Sequence, residues 1–455
     1  MIHKFRMHGT NIVLDVNSGA VHVVDDLAYE MIDELDKPDE AIVEKFSAKY
    51  GAEEAAEALS ELRGLEREGQ LYSQDALESY LAEKPVFGEG EPVVKALCLH
   101  VAHDCNLRCR YCFASTGDFG TGRSLMPVST AKRAIDFLIE KSGGRRNLEV
   151  DFFGGEPLLN FDTVRETVFY ALERQKETGK NFRFTLTTNA LLLNDEHSKF
   201  INEYMGNVVL SLDGRPEVND RMRYRADGRG TYADVLPKIR DMAESRNQDN
   251  YYVRGTFTRA NLDFAKDVLH LADLGFKQIS VEPVVAAGDT GLDLRREDLP
   301  KLFREYEELA LEYVERYREG RGFNFFHFMV DLDHGPCAIK RVKGCGSGHE
   351  YLAVTPEGDL YPCHQFVGMK QFRMGNVSES FDIDTSISDM FRKQNIYTNP
   401  ECRKCWAKFF CSGGCAANAW QFNNTLDKPY DIGCELERKR VECALWIRAV
   451  ESGAE

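Results

Sequence analysis

Val101-Ala102-His103-Asp104-Cys105-Asn106-Leu107-Arg108-Cys109-Arg110-Tyr111-Cys112-Phe113 closes an apolar, strand-like run and opens a loop with three cysteines spaced x3 and x2. Three readings compete. The cysteines are ordinary core residues; or they bind zinc, which normally takes four protein ligands or a suitably spaced His; or they hold a [4Fe–4S] cluster with one iron left free of protein. A free iron is chemically useful, because a small molecule can chelate it. Spacing and position both favour the cluster, since α/β enzymes gather their chemistry at the C-terminal ends of strands.

Outward from this loop the chain alternates. Strand-like runs fall at 96–102, 148–153, 182–187, 207–212, 252–258 and 278–285. Amphipathic helical stretches lie near 128–142, 161–178, 196–205, 232–245, 262–274 and 298–318. Six strands alternating with six helices predict a parallel sheet, either open and doubly wound or curled into a partial barrel. Upstream, residues 1–80 read as a separate unit: short strands at 11–16 and 20–24 around Asn17-Ser18-Gly19, then helices near 26–35, 39–49 and 52–68. A hairpin followed by three helices is winged-helix-like, and Glu89-Gly90-Glu91-Pro92 reads as a linker. After about residue 335 the alternation ends. Nine of the thirteen cysteines follow, among hairpin-like pieces such as Tyr351-Leu352-Ala353-Val354. So little apolar sequence predicts that bound clusters, rather than a core, hold this segment together.

Composition narrows the function. The 455 residues are 43% hydrophobic and 29% charged, with a formal charge of −17. An acidic chain of this kind argues against nucleic acid as a partner, because phosphate backbones reward basic surfaces. No signal peptide or membrane-length apolar run is visible, so the expected location is the cytoplasm, with no membrane partner. Thiols stay reduced there, and clustered cysteines point to metal rather than to disulfides.

The first cysteine loop resembles the signature of the radical S-adenosylmethionine (SAM) superfamily. The resemblance implies an α/β fold built on a partial (β/α)6 barrel. Cys105, Cys109 and Cys112 would hold the catalytic [4Fe–4S] cluster, with Tyr111 as the loop's aromatic residue. SAM would chelate the free iron, and its reductive cleavage would give a 5′-deoxyadenosyl radical that abstracts hydrogen from the substrate. The later strand ends agree in order. Gly154-Gly155-Glu156-Pro157 is similar to the family motif around the methionine amino group, and Thr188-Asn189 to a site near the ribose or methionine end. Ser211-Leu212-Asp213-Gly214, followed by Asn219 to Arg223, resembles the peptide-modifying subgroup, in which a Ser and an Arg approach the methionine carboxylate. Asn219 stands where the family usually has His, and Arg223 fits a surface position equally well.

Farther on come Cys345, Cys363, then Cys402-x2-Cys405-x5-Cys411-x3-Cys415 and Cys434. Read alone, this spacing suits zinc and iron–sulfur equally. The whole pattern resembles the SPASM domain, which implies two auxiliary [4Fe–4S] clusters and three in all. Cys402, Cys405, Cys411 and Cys434 would hold the distal cluster; Cys345, Cys363 and Cys415 would hold the proximal one, with Cys337 the candidate fourth ligand. Cys98 and Cys443 read as core. The implied layout is 1–80 for precursor recognition, 93–305 for the barrel, 306–335 as a bridge and 336–455 for SPASM.

The N-terminal unit is similar to the recognition element of ribosomal-peptide maturases, and the opening residues, including Asn11 to His22, resemble the SCIFF maturases. That family implies thioether formation between a Cys sulfur and a carbon of an acceptor such as Thr, within a small Cys-rich precursor bound through its leader. It also implies an electron donor such as flavodoxin or ferredoxin, with an auxiliary cluster taking the leftover electron. The alternative is another SPASM-type oxidase, like the sulfatase maturases.

Overall fold

A computed structural model describes residues 1–83, 90–285, 290–332 and 338–453. The N-terminal unit comprises β1 (Ile2–Met7), β2 (Thr10–Asp15) and β3 (Val21–Val24), then α1 (Asp26–Met31), α2 (Asp39–Tyr50), α3 (Ala52–Arg67) and α4 (Ala76–Glu83). The central part runs β4 (Ala96–His103), β5 (Ser124–Leu125), α5 (Val128–Lys141), β6 (Asn147–Gly154), α6 (Phe161–Thr178), β7 (Asn181–Thr188), α7 (Asp195–Tyr204), β8 (Asn207–Ser211), α8 (Pro216–Met222), α9 (Tyr232–Ser245), β9 (Tyr251–Phe257), α10 (Phe264–Asp273), β10 (Gln278–Pro283) and α11 (Leu299–Arg318). The C-terminal part holds β11 (Asn324–Phe325), α12 (Ala338–Val342), β12 (Tyr351–Val354), β13 (Asp359–Tyr361), β14 (Gly375–Asn376), α13 (Thr385–Lys393), α14 (Pro400–Arg403), α15 (Lys408–Cys411), α16 (Ala416–Asn423) and α17 (Asp431–Glu451).

The six expected strands are β4 and β6 to β10, and each pairs in parallel with the next in chain order. No switch point interrupts that order, so this is not the doubly wound arrangement, whose strand order must reverse. Alternation explains the layering. β6 buries Leu148, Val150 and Phe152 in the main core and leaves Glu149, Asp151 and Phe153 on its other, more polar face. A register shift between His100 and Ala102 bends β4 just before the cysteine loop, the place where a bulge re-aims a strand.

Three expectations need correction. The N-terminal sheet has three strands, because Ile2–Met7 pairs antiparallel with Thr10–Asp15 through a turn at His8-Gly9. The boundary read at 305/306 falls inside α11, one unbroken helix and so one rigid body. And the C-terminal segment is not held by bound groups alone. β12 joins the large sheet beside β4, with Tyr351 opposite Ala96 and Val354 opposite Leu99, and β13 and β14 extend it antiparallel. Phe366, Phe372, Phe391 and Trp446 belong to the same apolar core as β4.

That core also takes Phe5, Ile12 and Leu14 from one face of the N-terminal sheet, whereas Val13 on the other face packs with Leu27, Ile42, Phe46 and Leu59. The unit is therefore a sandwich with its own small core, docked face-down on the rest. Cys337 lies outside the described residues. Among those residues, no helix is long and apolar enough to cross a membrane.

Candidate active site

The strand ends converge as the sequence predicts, and glycine lets them do so. Gly154 has φ +132°, and a Cβ there would sit 2.3 Å from the Ala102 carbonyl oxygen; at Gly155 it would sit 2.1 Å from that of Asp104. Gly155 N donates to Ala102 O at 2.8 Å and Glu156 N to Asp104 O at 2.9 Å, which ties β6 to the mouth of the cysteine loop. Gly117, to which no motif points, completes the contact: a Cβ on it would fall 2.6 Å from Cys105 Cβ.

Glu156 is fully buried and has three protein donors. Its Oε1 accepts from Leu158 N at 3.1 Å and Thr188 Oγ1 at 2.7 Å, and its Oε2 from Asn189 N at 2.8 Å. Burial pushes the carboxyl above its usual range, against the pull of those bonds. The carboxylate thus pins the ends of β6 and β7 and retains lone-pair capacity for one further donor. Asn189 reaches back to the cysteine loop, donating to Asn106 Oδ1 at 2.8 Å with Cys105 Sγ 3.7 Å away.

A second buried group faces Cys109. Tyr111 Oη donates to Asp213 at 2.7 Å, and Arg223 Nη1 donates to Tyr111 Oη at 2.8 Å and lies 3.8 Å from Asp213 Oδ1. Arg223 is buried rather than at the surface. Burial works against its charge, but Tyr111, Cys109 and Asp213 more than offset this and hold the guanidinium protonated. Asn219 has a structural part: its Oδ1 accepts from Asp213 N at 3.3 Å and its Nδ2 donates to Thr231 Oγ1 at 3.2 Å. Ser211 ends β8 half-buried, paired across the sheet with Arg254.

Under the loop lies a buried pair that sequence reading passed over. His100 Nδ1 is 3.1 Å from His103 Nε2, and His103 Nδ1 is 2.9 Å from Thr121 Oγ1. Burial lowers His103 to about 4, so the pair is neutral and acts as packing that ties β4 to residue 121.

The cysteines sort into three neighbourhoods. Cys105, Cys109 and Cys112 lie within electrostatic reach of one another in the first loop. Cys363, Cys345 and Cys415 do so in a second place, and Cys411, Cys434, Cys402 and Cys405 in a third. Cys443 is buried elsewhere in the core, and Cys98, buried in β4, lies within electrostatic reach of Cys363. Among the described residues, no three His, Cys, Asp or Glu side chains converge tightly enough for a single ion. Donors are already aimed at sulfur: Leu107 N points at Cys105 Sγ at 3.4 Å, and Arg438 Nη1 lies 3.9 Å from Cys405 Sγ. The residues present fit iron–sulfur clusters.

A parallel α/β sheet whose strand ends carry a three-cysteine loop and a double-glycine turn defines an iron–sulfur enzyme of the SAM-cleaving kind. Comparison with known proteins agrees. The model of the radical SAM superfamily matches residues 99–268, and that of the SPASM iron–sulfur cluster-binding domain matches 345–406. An uncharacterized protein of Methanocaldococcus jannaschii is 32% identical over 289 residues, 63% of this chain and 90% of that one. A serine-type anaerobic sulfatase-maturating enzyme of Klebsiella aerogenes is 24% identical over 326 residues, 69% of this chain and 77% of its own. Among solved structures, anSMEcpe with bound AdoMet and the Kp18Cys peptide aligns with a TM-score of 0.63 at 19% identity, over 79% of this chain and 99% of that one. SuiB of Streptococcus suis bound to its precursor peptide SuiA aligns at 0.50 and 19%, over 95% and 98%. The chain belongs to the radical SAM superfamily and carries a C-terminal SPASM domain.

Proposed function

We propose that this protein is a radical SAM peptide maturase that joins a Cys sulfur to a carbon of an acceptor residue, such as Thr, within a small Cys-rich ribosomal precursor. The observation that carries the reading is the sorting of ten cysteines into one group at the end of β4 and two in the SPASM segment, beside a separate N-terminal sheet. In this reading the central sheet is a partial barrel, residues 1–80 form a winged-helix-like recognition unit, and each cysteine group holds a [4Fe–4S] cluster. The cluster on Cys105, Cys109 and Cys112 supplies reductive cleavage of bound SAM when it is present. Glu156, fixed by Thr188 and Asn189, offers its remaining lone pair to the methionine ammonium. Arg223, kept charged by Tyr111 and Asp213, faces the methionine carboxylate beside Ser211. Among the described residues β3 pairs on one side only, and that free edge takes the leader by strand addition. A flavodoxin or ferredoxin delivers electrons.

The second reading, a sulfatase-type oxidase, is supported by the likeness to the anaerobic sulfatase-maturating enzyme of Klebsiella aerogenes. Product analysis separates the two. Reduced protein, SAM and precursor should give 5′-deoxyadenosine and a peptide that has lost two hydrogens and one alkylatable thiol while keeping its sulfur. Loss of sulfur from the peptide would establish the second reading instead.

A further inference from the structure

The distal cysteine loop is held from outside, by the N-terminal unit. Arg403, between Cys402 and Cys405, pairs with Glu78 at 2.5 Å. Trp406, next to Cys405, is stacked by His3 with ring centroids 3.6 Å apart and planes 3° from parallel; Glu442 fixes that His at 3.0 Å. Lys408, between Cys405 and Cys411, is only 4% exposed, and its Nζ donates to Asp75 Oδ2 at 2.8 Å. Asp75 also accepts from Tyr397 Oη at 2.9 Å and from Glu78 N at 3.0 Å, at the start of α4. Two residues upstream, Ser73 N donates at 3.0 Å to Asp15, a fully buried residue at the end of β2. Polar contacts therefore run from the recognition sheet to the middle of the distal loop.

We propose that Asp75 and Lys408 are positioning residues for the distal cysteine site. On this view the N-terminal unit clamps the Cys402–Cys411 loop, and the pair of buried Lys408 with half-buried Asp75 sets the local charge and with it the reduction potential of the group held there. The inference rests on the reading that Cys402, Cys405, Cys411 and Cys434 hold an iron–sulfur cluster. Cluster potentials follow nearby charge, hydrogen bonds and exposure, and a buried pair that loses one member leaves the other uncompensated. An unpaired lysine favours the more negative, reduced cluster; an unpaired aspartate disfavours it. The two single substitutions must therefore act in opposite directions, which no simple loosening of the loop would produce.

The test is an EPR-monitored redox titration of the full-length holoprotein, with iron content measured in parallel. The distal signal is the one that Cys402→Ala/Cys405→Ala removes. Asp75→Asn should raise its potential, Lys408→Met should lower it, and the double variant should return towards the starting value. Lys408→Arg, which keeps the charge, should leave it near that of the unaltered protein. Intact clusters with unshifted potentials would overturn the proposal, as would equal loss of the cluster from all of these variants. If no signal disappears with Cys402 and Cys405, the assignment of the distal site itself fails.

Discussion

At the scale of single residues, Glu156 is the most constrained side chain of the site. Its two oxygens face donors on both sides, Leu158 N and Thr188 Oγ1 on one and Asn189 N on the other. In Glu156→Gln the amide nitrogen must replace one oxygen, and whichever side it takes, it meets a backbone N–H. A buried donor facing a donor loses its bond and keeps the desolvation cost, about 1–3 kcal/mol. The expected result is an unfolding free energy lower by that amount, read as a lower denaturation midpoint, together with weaker equilibrium binding of SAM. An unchanged midpoint would mean that the carboxylate does not pin the strand ends. Asn219 makes the same point from the other side. Its side-chain bonds to Asp213 N, Asp220 Oδ1 and Thr231 Oγ1 make it a joint in the framework.

At the scale of elements, the edge of β3 is where the recognition reading can be tested. Strand addition draws its affinity from main-chain hydrogen bonds, each contributing about 0.5–1.5 kcal/mol net. Val23→Pro removes one N–H from a strand that, among the described residues, pairs only with β2. Leader-peptide affinity should fall by about three- to tenfold, with iron content and SAM cleavage unchanged; unaltered affinity would rule out this edge. The long elements were legible in the sequence because their periodicity is local. β6 and β7 alternate over eight residues each, and α6 and α9 carry a helical stripe over several turns. β12 to β14, with two to four residues each, are too short for periodicity to register. Their pairing with β4 joins residues about 250 apart, which no local pattern can show. The cysteine loops were legible because metal ligands impose fixed spacings. Gly117, His100 and the Asp75–Lys408 pair were not, since each matters only through a neighbour that folding brings to it.

At the scale of the whole molecule, the three cysteine groups should be separable. The first belongs to the loop after β4; the other two lie beyond residue 340, on or beside α14, α15, α16, α17 and the β12–β13 hairpin. The shared apolar core, not the first cluster, joins these parts, because Leu99 and Val101 of β4 and Leu352 and Val354 of β12 belong to it. Deleting residues 1–80 is a poor probe of this independence, since it strips His3 and Asp75 from the Cys402–Cys411 loop. Replacing Cys105, Cys109 and Cys112 together by Ala leaves that clamp in place. If each group holds a cubane, iron should fall from about twelve to about eight atoms per chain. SAM cleavage should disappear, while the EPR signals of the remaining clusters stay as they were. Iron falling to zero would show that the auxiliary sites depend on the first. Continued formation of 5′-deoxyadenosine would show that SAM is cleaved elsewhere, and either result would refute the division of labour argued from the fold.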